Sequence, residues 1–120
     1  MTEPLRVEAV EDGRDTRLVL SGELTYATVS LLAREVEEVL DPFRPELVLD
    51  VTRLHFCDSV GLSMLIRAQR RARTLGGSVV LSGVHGCLAR VLEVTGAEAL
   101  FTVVGALDHA ESGGGRGELA

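Results

Sequence analysis

A serine next to a carboxylate where a strand gives way to a helix can serve as a nucleophile or as a phosphate acceptor. In this chain of 120 residues that arrangement falls in Phe56-Cys57-Asp58-Ser59-Val60-Gly61-Leu62. The nucleophile reading needs more than the serine. The flanks are similar to a G-x-S-x-G elbow, but Cys57 stands where the first glycine belongs. A triad also needs a general base, and neither His85 nor His109 sits in a supporting pattern. Metal binding has a comparable weakness. His55 and Cys57 are two positions apart, and His85 and Cys87 repeat the spacing. Such pairs could close a four-ligand site, but they lack the usual finger spacing. Phosphate-cradling loops of the GxxxxGK[ST] or GxGxxG type are absent. The sequence therefore predicts no enzyme, no catalytic residue, no metal and no cofactor.

The phosphate-acceptor reading competes with an ordinary one, in which Asp58 caps a helix and Ser59 fills its first turn. Three details favour a functional role. The turn follows the apolar run Leu47-Val48-Leu49-Asp50-Val51, and open α/β sheets place their sites at the carboxyl ends of strands. Gly61 is a poor helix former and would keep the surface beside Ser59 low. Ser63 lies one helical turn further on and offers a second hydroxyl.

The elements that must position this turn can be read from periodicity. Leu5 to Val10 alternates as a half-buried strand, Asp12-Gly13 supplies a turn, and Arg17 to Ser21 completes a hairpin. Gly22-Glu23-Leu24-Thr25 leads into a helix that Thr25 can cap, with Val29, Leu32, Ala33, Val36 and Leu40 on its buried face. Pro42 and Pro45 end it. Glu46 to Val51 reads as a strand covered on both faces, followed directly by His55 outside it. A helix over about 59–75 carries Leu62, Leu65, Ile66, Gln69 and Ala72 on one stripe, and Gly76-Gly77 stops it. Its arginines, Arg67, Arg70, Arg71 and Arg73, read as a solvated face or as one edge of a docking surface for an acidic partner region. A strand over 78–82, a helix from about Gly86 to Gly96 and a strand over 100–104 follow. Residues 106–110 suggest one more helical turn. The prediction is an α/β domain over 1–110, a mixed sheet with an opening hairpin packed with helices, followed by a flexible Gly-rich tail over 111–120.

Composition narrows the partners. A net charge of −6 argues against nucleic acid, as does an aromatic content of 3% with no Trp to stack on bases. Binding to another protein is the better expectation. Cys57 and Cys87 form no CxxC pair and are expected to be buried free thiols in a reducing cytoplasm. No apolar run approaches a membrane span, and the N-terminus shows no basic region followed by an apolar run.

Taken together, Ser21-Gly22-Glu23-Leu24, Leu49-Asp50-Val51, Phe56 to Leu62, Gly76-Gly77 and Val91-Leu92-Glu93-Val94-Thr95-Gly96 resemble the STAS domain, in particular the bacterial anti-sigma factor antagonists. The resemblance runs from about Leu5 to Ala110. It implies partner switching: the unphosphorylated antagonist binds an anti-sigma factor with serine kinase activity and frees the sigma factor. The kinase then modifies the serine, and a phosphatase restores it. By position that serine is Ser59, with Thr25, Asp58, Val60, Gly61, Leu62 and Ser63 at the partner surface. Thr25 stands where the family commonly has Asp, and Val60 where it has a small residue. The same fold also occurs in anion-transporter tails and sensory complexes, so the alternative is a sensor module binding a small ligand or nucleotide at the strand-end cleft.

Overall fold

The computed structural model describes residues 4–12 and 15–105. The Gly13 turn, the expected helical turn over 106–110, His109 and the tail over 111–120 lie outside the described residues. The elements are β1 (Arg6–Asp12), β2 (Asp15–Leu24), α1 (Val29–Val39), β3 (Leu47–Cys57), α2 (Ser59–Thr74), β4 (Val79–Ser82), α3 (Gly86–Thr95), a 3-10 turn (Ala97–Leu100) and β5 (Thr102–Val104).

The sheet order is β1-β2-β3-β4-β5. β1 and β2 pair antiparallel as the expected hairpin, and every later pairing is parallel. Each crossover moves one strand in the same direction, so right-handed connections bring all three helices to one face. The register shows which face that is. Leu18, Leu49 and Leu81 sit side by side across three strands, and all are fully buried. The residues between them, such as Arg17, Val48 and Val80, are half-buried on the other face. The expectation of a strand covered on both faces is thus corrected: β3 buries one face fully and leaves the other to the Arg17–Asp50 ion pair at 3.5 Å and its neighbours.

β3 also runs six residues beyond the expected Val51, which places His55 inside the strand. The reason lies in its pairing with β2. The register steps from Val19↔Asp50 to Ser21↔Arg53, and from Gly22↔Leu54 to Glu23↔Phe56. Each step inserts one extra residue into β3, a bulge that re-aims the side chains after it. Burial consequently falls on Val51, Leu54 and Cys57, every third residue instead of every second. The bulges keep β3 paired with β2 to the last residue of each, Leu24↔Cys57, and aim Cys57 into the core.

α2 is held against the sheet by a buried polar group. Gln69, 4% exposed, accepts the Val79 N–H at 2.7 Å and donates Nε2 to the carbonyls of Leu100 at 2.6 Å and Val79 at 3.3 Å. One side chain thereby joins α2, β4 and the 3-10 turn. Gly76, at φ +94°, ends the helix as expected.

Candidate partner-binding site

The carboxyl ends of β2 and β3 lie together, and each leads into a helix. The β2–α1 loop and the β3–α2 turn therefore form one surface, with Asp58 at its centre. Asp58 is the N-cap of α2: Oδ1 accepts the Gly61 N–H at 2.7 Å. Its other oxygen, Oδ2, accepts the Tyr26 N–H from the neighbouring loop at 3.0 Å. The Asp58 N–H in turn donates to the Leu24 carbonyl at 3.2 Å. Both carboxylate oxygens are thus used inside the domain. Asp58 acts as a latch between two loops, a role the sequence alone does not disclose.

Ser59 is the first residue of α2 and is exposed. Its hydroxyl takes no hydrogen bond among the described residues, and Ser63, also exposed, is equally unengaged. Asp58 satisfies the third N–H of the helix, at Gly61. Those of Ser59 and Val60 have no protein acceptor among the described residues. Unpaired amides and the positive end of a 16-residue helix can accept an anion carried on Ser59.

Gly61 does something different from what its position suggests. It is buried, and a Cβ there would stand 2.4 Å from the Leu24 carbonyl oxygen and 3.0 Å from Cys57 Sγ. Its role is the close approach of α2 to β2. Leu62 is likewise buried, at 6% exposure. These two residues, expected at the partner surface, support that surface from beneath.

Thr25 does not cap α1, which begins at Val29 after Thr28. Thr25 builds the preceding turn instead. Its Oγ1 accepts the Ala27 N–H at 3.2 Å, its N–H donates to Thr28 Oγ1 at 2.9 Å, and its carbonyl accepts the N–H groups of Thr28 and Val29. Thr28 Oγ1 also donates to the Glu23 carbonyl at 2.9 Å. This network holds out Tyr26, which is 77% exposed. Phe56, 43% exposed, stands with it, and Val60, 44% exposed, follows Ser59 on α2. Tyr26, Phe56, Thr25 and Asp58 border a shallow depression of about 420 Å³. The chain has four aromatic residues, three Phe and one Tyr, so two beside one exposed serine are a large share. Their scarcity is the signal by which sequence reasoning could have found them.

The neighbouring thiols and imidazoles serve the frame. Cys57 is buried, and burial, with Cys87 and Asp58 nearby, pushes its thiol up to about 12. It is neutral at physiological pH and not a nucleophile. Cys87 is only half-buried, which corrects the expectation of two buried thiols. His85 Nε2 lies 2.7 Å from the Thr52 carbonyl oxygen and must donate to it, so that nitrogen is not a base for Ser59. Among the described residues no group of three or more His, Cys, Asp or Glu side chains could hold a metal ion, and no helix is long and apolar enough to cross a membrane.

Known proteins share both sequence and architecture with this chain. The family model described as "Mlab, STAS domain" matches residues 7–111. An anti-sigma F factor antagonist of Paenibacillus polymyxa is 28% identical over 91 residues, covering 75% of this chain and 75% of that protein. The crystal structure of an anti-sigma factor antagonist from Mycobacterium paratuberculosis aligns with a TM-score of 0.77 at 22% identity, over 93% of this chain and 97% of that one. The murine anion transporter Slc26a9 aligns with a TM-score of 0.68 at 16% identity, over 86% of this chain and 18% of the transporter.

Proposed function

We propose, from the premise that this chain belongs to the STAS domain family, that it is an anti-sigma factor antagonist whose binding is switched at Ser59. Unphosphorylated, it engages an anti-sigma factor with serine kinase activity and so releases a sigma factor in the bacterial cytoplasm. Phosphorylation of Ser59 ends that contact, and a phosphatase restores it. The observation that carries this reading is the position of Ser59, an exposed and unengaged hydroxyl at the start of α2, beside the exposed Tyr26, Phe56 and Val60. Aromatic side chains with few internal contacts are the usual anchors of protein interfaces.

The switch needs no refolding. A phosphoserine adds about −1.5 to −2 charges at neutral pH. Inside the domain the free amides of Ser59 and Val60 receive it. Across a closed interface, a partner carboxylate about 6 Å away is repelled by roughly 3 kcal/mol per unit charge at an effective dielectric near 20. That is about a hundredfold in affinity.

Under this reading the docking residues are Thr25, Tyr26, Phe56, Ser59, Val60 and Ser63, with Asp58, Gly61 and Leu62 as their support. The test is capture of the anti-sigma factor on Ser59→Ala and Ser59→Glu baits, with Tyr26→Ala alongside. Ser59→Ala should bind and resist phosphorylation, Ser59→Glu should lose binding, and Tyr26→Ala should lose it without loss of fold. Undiminished phosphate incorporation into Ser59→Ala would remove Ser59 as the acceptor. A stoichiometric nucleotide or metabolite in the purified protein would favour a sensor module instead.

A further inference from the structure

The chain carries a net charge of −6, yet one helix is basic. Four of its 12 basic residues, Arg67, Arg70, Arg71 and Arg73, fall within seven positions of α2, which has no Asp or Glu anywhere along its length. Three of them stand over a groove. α1 and α2 lie side by side on the sheet, and between them runs a furrow of about 590 Å³. Its floor is apolar, with Val29, Ala33 and Val36 from α1 and Met64 and Ala68 from α2, the two alanines being the small residues. Arg67, Arg70 and Arg71 rise along one wall, whereas the opposite wall has one charged residue, Glu37. Glu37 pairs with Arg71 at 3.3 Å. No ion pair engages Arg67 or Arg70 among the described residues, and both are exposed.

We propose that this groove docks an acidic amphipathic helix of a partner protein. The small floor residues leave room for apolar side chains to enter, and the furrow between two packed helices is the seat a third helix takes by ridge-into-groove packing. The α1 lining runs from Val29 to Val36 before the Glu37–Arg71 pair spans the groove, so the seat is roughly 12 Å long and takes about two turns of the incoming helix. Carboxylates on that helix's flank meet Arg67 and Arg70, in the bidentate geometry that arginine favours. A basic helix would meet the same two charges as repulsion, which gives the surface its selectivity. Neither Ser59 nor Tyr26 lines the groove, so this surface is separate from the switch and independent of its phosphorylation state.

The test uses the full chain and a fluorescein-labelled synthetic helix of about four turns with a leucine stripe and glutamate flanks. Fluorescence anisotropy should show saturable binding that weakens as salt rises, because the screening length falls from about 10 Å at 0.1 M to about 3 Å at 1 M. Reversing both charges, with Arg67→Glu and Arg70→Glu, should reduce affinity by about tenfold or more, whereas Arg73→Glu, off the groove, should have little effect. Filling the floor with Ala33→Trp should also reduce it, with a thermal melt verifying the fold. Ser59→Glu should bind the peptide as the parent does. The proposal is overturned by any of four results: no measurable binding, equal binding of a lysine-flanked helix, equal loss with Arg73→Glu, or a groove-dependent change in oligomeric state that assigns the furrow to a second copy.

Discussion

The Asp58 latch makes a prediction that separates its two bonds. Asp58→Ala removes both the cap on the Gly61 N–H and the acceptor for the Tyr26 N–H. Loss of an N-cap costs about 1 kcal/mol. The second bond is solvent-exposed and contributes about 0.5–1 kcal/mol more. The sum, about 1.5–2 kcal/mol, lowers the melting temperature by about 6–16 °C in a domain of this size. Asp58→Asn is the discriminating variant. Its remaining carbonyl oxygen still caps Gly61, but its amide nitrogen faces the Tyr26 N–H, donor against donor. The expected cost is only about 0.5–1 kcal/mol, or about 2–8 °C. Circular-dichroism melts supply the stabilities, and amide hydrogen exchange locates the damage. The Asn variant should lose protection at Tyr26 and keep it at Gly61, while the Ala variant loses both. Equal melting of all three proteins, or loss of protection at Gly61 in the Asn variant, would refute the assignment of one bond to each oxygen.

Other positions make separate predictions. Gly61→Ala gains about 1 kcal/mol of helix propensity against about 1–3 kcal/mol for forcing a methyl onto the Leu24 carbonyl, so a net loss of up to about 2 kcal/mol should appear as a lower urea midpoint. Gln69→Leu keeps the volume but strands the Val79 N–H and the Leu100 carbonyl, and should cost about 2–4 kcal/mol in the same measurement. The buried Cys57 thiol sets an alkaline limit. Its folded value of about 12 lies above the ordinary 9.0, so its contribution is complete below pH 9 and is lost as the pH rises toward 12. Across that window stability should fall by up to about 1.4 kcal/mol per pH unit for this group. Cys57→Ala should show a shallower alkaline slope in pH-dependent melts, and an unchanged slope would assign the loss to other groups.

Where the hydrophobic period is regular, the sequence is transparent. The β1–β2 hairpin, the start of α2 at Ser59 and the stops at Gly76 and Gly96 follow from alternation, capping and glycine conformation, and all appear at or near the expected residues. β3 is opaque because two bulges replace its period of two with one of three, so Arg53 and His55 resemble a loop. Thr25 is misread because Thr28, three residues later, competes for the same turn, and its hydroxyl bonds to the Thr25 N–H and the Glu23 carbonyl. Gly61 looks like a surface feature because local propensity does not reveal a carbonyl arriving from β2. Exposure of Tyr26 and Phe56 depends on where two loops meet, which no local pattern encodes.

Under the proposed function, the double use of the Asp58 carboxylate bears on how related antagonists would diverge. Asp58 holds the two segments through backbone N–H groups, those of Tyr26 and Gly61, so the latch depends little on which side chains they carry. On the proposed surface, partner identity would reside in the exposed side chains of Tyr26 in the β2–α1 loop, Phe56 at the end of β3 and Val60 at the start of α2. These can be exchanged without touching the cap, the turn or the helix-to-strand approach at Gly61. Under the proposed function, copies of such a domain would acquire separate partners by changing a few exposed residues while inheriting the frame intact, and these residues rather than Ser59 would set which partner is bound.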